Sequence, residues 1–303
     1  MSISLGSVGT VPAPAPQTRR PAGMLAGYLG LTMVPALLAA RAPATGPRIV
    51  LGAHLIGLVL LIVLLRGSAG QRSAARSWLL GLLPLAAIPF LYAELPTLMG
   101  GVRDGYYDAV VQPWEYALFG GDTPARTLAP GLHESLGTPA ATLVSELLFA
   151  SYLSYYLIIY FPLVLLLVRR RFDIYGQTLT GVMATFLLCY LVFVAFPVEG
   201  PRYLWPAPDA AMHGPIRAFT LTLVEVGSSR GAEFPSSHVA VSVAQSIMAL
   251  RWQRRLGIVT SVATALLSVA VVFAGFHYAI DVIAGIAVGG IIGVMMTRST
   301  RVR

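Results

Sequence analysis

A histidine stands in the segment EFPSSHVAV, which runs from Glu233 to Val241 of the 303-residue chain. Pro235 ends an irregular stretch, and Ser236 or Ser237 can cap a helix that begins near His238. The start of a helix offers free backbone N–H groups and the positive end of the helix dipole. The segment therefore predicts an anion site beside a histidine.

A second histidine stands with an aspartate in the segment GFHYAID, which runs from Gly275 to Asp281. His277 and Asp281 are four residues apart, so on a helix they would share one face. The carboxylate can then accept a hydrogen bond from one ring nitrogen and leave the other nitrogen free. This spacing predicts an oriented imidazole at the start of another helix.

Together the two segments could carry out phosphoryl transfer, a reaction that depends mostly on positioning and on stabilisation of charge. One imidazole would act as the nucleophile, and the other would protonate the leaving group. The predicted site contains no metal ion and no cofactor. Its predicted catalytic residues are His238, His277 and Asp281.

Arginines complete the predicted site, because a guanidinium fork is the usual partner of phosphate oxygens. Arg202 stands in VEGPRYLWP, and Arg230 stands in SSRGAEFPSSH. An ion pair of Arg202 with Glu199, or a contact with a lipid headgroup, is the alternative. Arg217, in the same connection, is expected at the surface. The predicted phosphate-binding residues are Arg202, Arg230, Ser236 and Ser237, and the candidate substrate contacts are Tyr203 and Tyr278.

The remaining three histidines lack such neighbours. His54 is isolated in an apolar segment, whereas His133 and His213 stand in polar connections. We therefore expect all three to be structural.

The composition indicates the class of protein whose fold must position these residues. The chain is 56 % hydrophobic and 11 % charged, with a mean hydropathy of +0.74, whereas soluble domains are roughly a quarter charged. These values exclude a soluble or disordered protein, and Cys189 alone cannot build a disulfide scaffold. The net charge is +8, and all 21 basic residues are arginines. In a membrane protein we interpret them as orientation signals and contacts with anionic lipids, with no nucleic-acid partner.

Eight segments are apolar enough, or placed suitably, to cross a bilayer, which predicts an all-α integral membrane protein. The sixth is short and polar at its start, so hydropathy alone would miss it. The predicted segments are 22–40, 49–65, 78–99, 141–168, 178–196, 236–251, 256–274 and 280–297.

The arginines predict the orientation of these segments. With eight spans, fourteen arginines fall on the side of the N-terminus and seven on the other side. Because positively charged loops stay in the cytoplasm, both termini are expected there, in a plasma (inner) membrane. Both His238 and His277 would then lie at the extracytoplasmic face.

Two long connections, 100–140 and 197–235, would lie at that face. The second carries Pro197, Pro201, Pro206, Pro208 and Pro215, which preclude a continuous helix. The first has apolar residues at helical spacing with acids between them, which predicts an amphipathic helix on the outer surface. Packing over the bundle without touching substrate is the simpler alternative for it. Its apolar residues are Tyr107, Val111, Trp114 and Leu118, and its acids are Asp104, Asp108 and Glu115.

The two histidine segments resemble the second and third signatures of the type 2 phosphatidic acid phosphatase superfamily. PSSH stands at the start of one helix and HYxxD, 39 residues on, at the start of another. The resemblance implies a six-helix core with two helices added before it. It divides the chain into a disordered cytoplasmic tail (1–20), two accessory transmembrane helices (21–76) and a catalytic membrane domain (77–303).

The chain departs from that pattern in ways that suggest a branch. The first signature of the superfamily begins with a lysine, and this chain has none, so Arg202 is the plausible counterpart. A Ser-Arg pair that precedes the third-signature histidine is replaced by Ala270 and Val271. The inositol phosphorylceramide synthase branch is similar in this respect. LFGGDTP (Leu118–Pro124) and YLSYY (Tyr152–Tyr156) also resemble that branch.

The resemblance implies a metal-independent lipid phosphotransferase or phosphatase that works through a phosphohistidine. Transfer of an inositol phosphate-type headgroup between lipids is the leading hypothesis, with a lipid phosphate monoester or a polyprenyl diphosphate as the alternative substrate of a phosphatase. A metal-dependent membrane hydrolase and a transporter are hypotheses from other classes. The implied partners are a phospholipid substrate and the bilayer, and the sequence leaves the oligomeric state open.

Overall fold

The computed structural model describes residues 19–66, 74–208 and 210–298, nearly all of them in helices. Most of the predicted tail lies outside these residues. Arg19 and Arg20, which the sequence places at its end, instead begin the first helix. The helices in this part of the chain are α1 (Arg19–Leu31), α2 (Met33–Ala39), α3 (Thr45–Leu65), α4 (Ala74–Ala93), α5 (Leu95–Val102), α6 (Asp108–Phe119), α7 (Pro124–Val168), α8 (Phe172–Ala195), α9 (Pro201–Leu204), α10 (Pro215–Gly227), α11 (Ser237–Trp252), α12 (Arg254–Phe273) and α13 (Ala279–Arg298).

The predicted all-α membrane fold is confirmed. Within the described residues, seven helical segments are long and apolar enough to cross a membrane. The sixth predicted segment, 236–251, forms a helix, α11, but with 16 residues it is too short to be counted among the seven. The seven are α1 together with α2, α3, α4, α7, α8, α12 and α13.

The short helix α11 lies at the centre of the bundle. It packs against α7, α8, α12 and α13, and most of its side chains are buried. Its neighbour α8 is also enclosed, with 72 % of its most apolar window buried, whereas the value for α3 at the periphery is 17 %. Low hydropathy in α11 thus reflects contacts with protein instead of lipid.

Glycines bring α13 close to α11. Gly285, Gly289 and Gly293 recur every fourth residue and face α11, where a Cβ at Gly285 would lie 2.6 Å from the carbonyl oxygen of Ser236. Small residues at this spacing allow helix backbones in membranes to approach closely. The contact fixes the starts of α11 and α13, which carry the two histidine segments, beside each other.

The two long connections are more helical than predicted. The expected helix in 100–140 is present as α6, but α7 already begins at Pro124 and runs into the membrane span with a break at Gly137 (φ 69°, ψ 165°). The connection 197–235 contains α9 and α10, and each begins with a proline, where the missing N–H costs no hydrogen bond.

The first three helices pack against one another and against later helices of the bundle. The helix α1 contacts α3, α4 and α8, and α2 contacts α3 and α5. The division of the chain into accessory helices and a catalytic domain stays a prediction.

Candidate active site

The two histidine segments meet at one end of the bundle. Ser236 caps α11, because its Oγ accepts a hydrogen bond from the N–H of Val239 at 3.4 Å. Its own N–H donates to the carbonyl oxygen of Asp281 at 2.9 Å, which ties the start of α11 to α13. As a result, the rings of His238 and His277 face each other with their centroids 5.8 Å apart.

His277 is held by two carboxylates on its Nδ1 side. Asp281 Oδ2 lies 3.4 Å from Nδ1 and also accepts the N–H of Tyr278 at 2.9 Å. Glu233 Oε2 lies closer to Nδ1, at 3.1 Å. The sequence pattern indicates Asp281 but gives no spacing relation for Glu233, which reaches His277 across 44 residues of chain.

Burial controls the protonation of this pair. Burial lowers the pKa of His277, and the neighbouring Glu233 opposes that shift. Burial raises the pKa of Glu233 to about 7, and the charges of His277 and Arg202 limit the rise. A neutral imidazole with Nδ1 occupied keeps Nε2 for chemistry.

His238 lies in an aromatic setting. Its Nε2 is 3.4 Å from the hydroxyl of Tyr152, and the ring of Tyr155 lies with its centroid 4.3 Å away. Among the described residues, Nδ1 of His238 has no hydrogen-bond partner. This ring nitrogen is therefore not used by any hydrogen bond within the described protein.

Arg202 lies at the same site. Its Nη2 donates to Ser228 Oγ at 2.6 Å and to the hydroxyl of Tyr203, and its guanidinium lies over the ring of Tyr203. Glu199, the predicted alternative partner of Arg202, pairs with Arg230 instead. Arg202 therefore keeps part of its guanidinium for a ligand.

A cavity of about 480 Å³ joins these groups. Its polar lining residues contact one another in pairs, Arg202 with Ser228, Glu233 with His277 and His277 with His238, and we call this group the polar end. Both histidines and Arg202 lie at the polar end. The polar end is formed by Arg202, Ser228, Ser229, Glu233, Ser237, His238 and His277. The remaining walls include Ile88, Tyr92, Tyr152, Tyr155, Tyr156, Ile159, Tyr160, Phe186, Tyr190 and Phe276.

Four of the predicted binding residues lie outside this lining. Arg230 is 54 % exposed and pairs with Glu199. Ser236 is fully buried as the cap of α11, and Tyr203 contacts Arg202. Tyr278 is fully buried and donates to Asp108 Oδ1 at 3.0 Å, on the side of α6. Of the predicted binding residues, Arg202 and Ser237 line the cavity.

The carboxylates of α6 face the protein, contrary to the predicted outer-surface orientation. Asp108 accepts the backbone N–H groups of Glu199 and Gly200, both at 2.9 Å, and burial raises its pKa. Glu115 is fully buried and accepts the N–H groups of Ala279 and Ile280 at 3.0 and 2.8 Å. Of the apolar residues of this helix, Val111 is fully buried, whereas Trp114 and Leu118 are exposed. The helix α6 thus positions the loop before Arg202 and the start of α13.

Arg217 is buried at 8 % exposure, which corrects its predicted surface position. Glu146 of α7 accepts the N–H groups of Ile216 and Arg217, both at 2.8 Å, and so anchors the start of α10. The guanidinium of Arg217 lies 5.9 Å from the ring centroid of Phe149. Arg217 is therefore part of the packing between α7 and α10.

A family model described as the PAP2 superfamily matches residues 129–295, which is more than half of the chain. The match includes both histidine segments. No curated protein and no solved structure matches the chain. Across the described residues, no three His, Cys, Asp or Glu side chains are grouped so that they could hold a metal ion.

Proposed function

The chain belongs to the PAP2 superfamily, and on this premise we propose that it is a membrane phosphotransferase that moves a phosphorylated headgroup, of the inositol phosphate type, between lipids. Membership itself supports a function of the lipid phosphatase or phosphotransferase type. The finer proposal depends on one observation: His238 and His277 face each other at the polar end of a cavity whose other walls are apolar. A lipid can place its phosphate there and its chains along the walls.

In the first step, Nε2 of His277 attacks the phosphorus of the donor lipid. The N–P bond forms as the bond from phosphorus to the leaving oxygen breaks, and His238, which enters the step protonated, donates a proton to that oxygen. Arg202 stabilises the charge on the remaining phosphoryl oxygens. The products of this step are a phosphohistidine at His277, whose phosphoryl group still carries the headgroup, and a released lipid alcohol.

In the second step, an acceptor hydroxyl attacks the phosphohistidine. His238, now neutral, accepts the hydroxyl proton while the new O–P bond forms and the N–P bond breaks. His277 returns to its starting state. Water in place of the alcohol would give hydrolysis by the same route.

The charges at the site favour a phosphodiester over a phosphate monoester as the substrate. A phosphodiester carries about one negative charge, whereas a monoester near neutral pH carries nearly two. The cavity lining contains one guanidinium, from Arg202, and one carboxylate, from Glu233. Because Arg230 pairs with Glu199 outside this lining, it adds little charge to the phosphate position.

The aromatic wall supports the branch suggested by the sequence. Three tyrosines of the YLSYY segment, Tyr152, Tyr155 and Tyr156, line the cavity. Their rings provide apolar surface, and their hydroxyls can bond to a polyol headgroup. We therefore keep the inositol phosphorylceramide synthase-like assignment as part of the proposal.

We propose that the site faces away from the cytoplasm in the plasma (inner) membrane, from the distribution of the arginines. The fifteen positions from His238 to Gln253, at the rise of an α-helix, place the two residues about 22 Å apart. A cysteine at Ala207, near the site, should react with an impermeant thiol reagent on intact cells, and one at Gln253 should not. Labelling at Gln253 alone would invert the orientation.

Lipid mass spectrometry tests the reaction. Purified protein is incubated with phosphatidylinositol, phosphatidic acid or polyprenyl diphosphate, each with and without an alcohol acceptor. We expect a new phosphodiester from phosphatidylinositol only when the acceptor is present. Release of inorganic phosphate from either of the other two substrates, without exchange, would assign a phosphatase instead.

A strong chelator tests the proposed independence of metal ions in the same assay. We expect turnover to be unchanged. Loss of turnover with the chelator and recovery on addition of zinc would assign a metal-dependent hydrolase.

A further inference from the structure

Two carboxylates compete for one ring nitrogen. Glu233 Oε2 is 3.1 Å and Asp281 Oδ2 is 3.4 Å from Nδ1 of His277. The nitrogen carries at most one hydrogen, so it can donate to one of them at a time. Asp281 Oδ2 already accepts the N–H of Tyr278 at 2.9 Å. Glu233 is therefore the nearer acceptor and the one with fewer competing donors.

We propose that Glu233 is a positioning residue that holds the Nδ1 hydrogen of His277 and stabilises the positive charge on this ring when Nε2 is phosphorylated. The inference rests on the proposed phosphohistidine. It assigns to Glu233 a part of the role that the sequence pattern gives to Asp281 alone.

The fold holds Glu233 in this position through pairing of two loops. The N–H of Glu233 donates to the carbonyl oxygen of Val198 at 3.3 Å, and the N–H of Val198 donates to that of Gly231 at 3.0 Å. Gly200 has a φ of 87°, and a Cβ there would lie 2.7 Å from Cγ of Glu233. The glycine thus provides both the turn and the space for this side chain.

The charges around Glu233 change when His277 is phosphorylated. The groups that face it are His277 and Asp281 at the start of α13, Arg202 of α9 and Asp108 of α6. Before the reaction, a neutral ring lies between two carboxylates. The N–P bond at Nε2 leaves the hydrogen on Nδ1, so the ring becomes a cation against both carboxylates. When the bond breaks, the ring is neutral again, and neither carboxylate gains or loses a proton.

The test follows formation of the phosphoenzyme in a single turnover. The full-length protein is mixed with bis(4-nitrophenyl) phosphate, and the burst of nitrophenol is recorded between pH 5.5 and 8.5. Burial raises the pKa of Glu233 to about 7, so the carboxylate is ionised above that pH and protonated below it. We expect the wild-type burst rate to fall as the pH decreases through this value.

Glu233→Gln should slow the burst about tenfold to a hundredfold near pH 8, because a charge-assisted hydrogen bond is lost. It should also remove the acidic fall, since glutamine does not titrate. Glu233→Asp should be slower than wild type and keep the fall, because its charge remains. Glu225→Gln, an exposed substitution in α10, serves as the matched control and should behave as wild type.

The outcomes separate this inference from the proposed function. A wild-type burst that Glu233→Gln leaves unchanged in rate and pH profile would overturn the role of Glu233 alone. If Glu233→Gln fails to fold, a burst rate in Glu233→Asp equal to that of the wild type would overturn the role of Glu233. No burst from the wild type at any pH would overturn the phosphohistidine itself.

Discussion

Two buried histidines of this protein lie beside carboxylates, and they differ in what their nitrogens contact. His54 is 1 % exposed and His277 is 2 % exposed. Nε2 of His54 is 2.9 Å from Thr32 Oγ1, and its Nδ1 is 3.1 Å from the carbonyl oxygen of Val50 and 3.6 Å from Glu94 Oε2. Both nitrogens of His54 are thus occupied by protein, whereas the carboxylates at His277 occupy Nδ1 only.

The surroundings of the two rings differ in the same way. His277 lines the cavity together with His238 and Arg202, and His54 does not line it. Thr32 Oγ1 also donates to the carbonyl oxygen of Tyr28 at 2.8 Å. The group around His54 therefore links α2, α3 and the junction of α4 with α5. A buried histidine next to a carboxylate thus becomes a candidate nucleophile only when one ring nitrogen is free of protein contacts and the ring lines a cavity.

Alanine substitution of each histidine gives the largest expected contrast. His277→Ala removes the nucleophile, so we expect no nitrophenol burst and no turnover above background. His54→Ala should keep the burst rate within about twofold but lower the free energy of unfolding by about 1 to 3 kcal/mol, because buried partners lose a hydrogen bond. A normal burst in His277→Ala would show that His277 is not the nucleophile and does not differ from His54 in this respect.

His238→Ala should have the next largest effect. General acid catalysis typically contributes about 100- to 10,000-fold, so turnover of a lipid donor should fall by a factor in this range. The loss should be much smaller with a nitrophenyl ester, because nitrophenol leaves without a proton. An equal loss with both substrates, measured as kcat, would contradict the role of His238 as the acid.

Arg202→Lys tests whether the planar fork matters at the site. The lysine keeps the charge but cannot reproduce the fork, and one charge-assisted hydrogen bond is worth about 1.5 to 3 kcal/mol. We expect roughly a tenfold to hundredfold loss in kcat/KM. Arg230→Lys is the matched control and should stay near wild type, because Arg230 pairs with Glu199 outside the cavity lining. Equal values for the two variants would show that Arg202 is only a surface or headgroup residue.

Glu115→Gln tests the support of the site from α6 and should have the smallest effect on chemistry. It weakens two hydrogen bonds that hold the start of α13, at 3.0 and 2.8 Å. We expect the free energy of unfolding to fall by about 1.5 to 3 kcal/mol, seen as a lower melting temperature in detergent. Glu134→Gln, at an exposed position of α7, is the control. Equal melting temperatures would show that Glu115 does not support α13.

The residues with local signals could be found from the sequence. Apolar length predicts seven of the helices, and the capped motif and the count of arginines predict α11 despite its low hydropathy. The four-residue spacing of His277 and Asp281 predicts their contact, observed at 3.4 Å. These signals lie within one helix or at one helix start, so a periodic pattern can reveal them.

The other groups around the site arise from contacts between distant segments. Glu233 reaches His277 through loop pairing, and Glu115 of α6 reaches the start of α13 from 164 residues away. The burial of Asp108 and Glu115 in α6 also departs from the predicted outer-surface helix. In a membrane protein, polar groups find their partners inside the protein, so an apolar face such as that of Trp114 need not face the core. No spacing rule in the sequence encodes these contacts.

Mapping the covalent intermediate tests the central claim most directly. The wild-type protein is mixed with bis(4-nitrophenyl) phosphate and quenched at alkaline pH, where phosphohistidine is preserved, and its peptides are analysed by mass spectrometry. We expect a 4-nitrophenyl phosphoryl group on His277, none on His54, and none anywhere in His277→Ala. A phosphoryl group on another residue, or sustained turnover without any modified peptide, would contradict it.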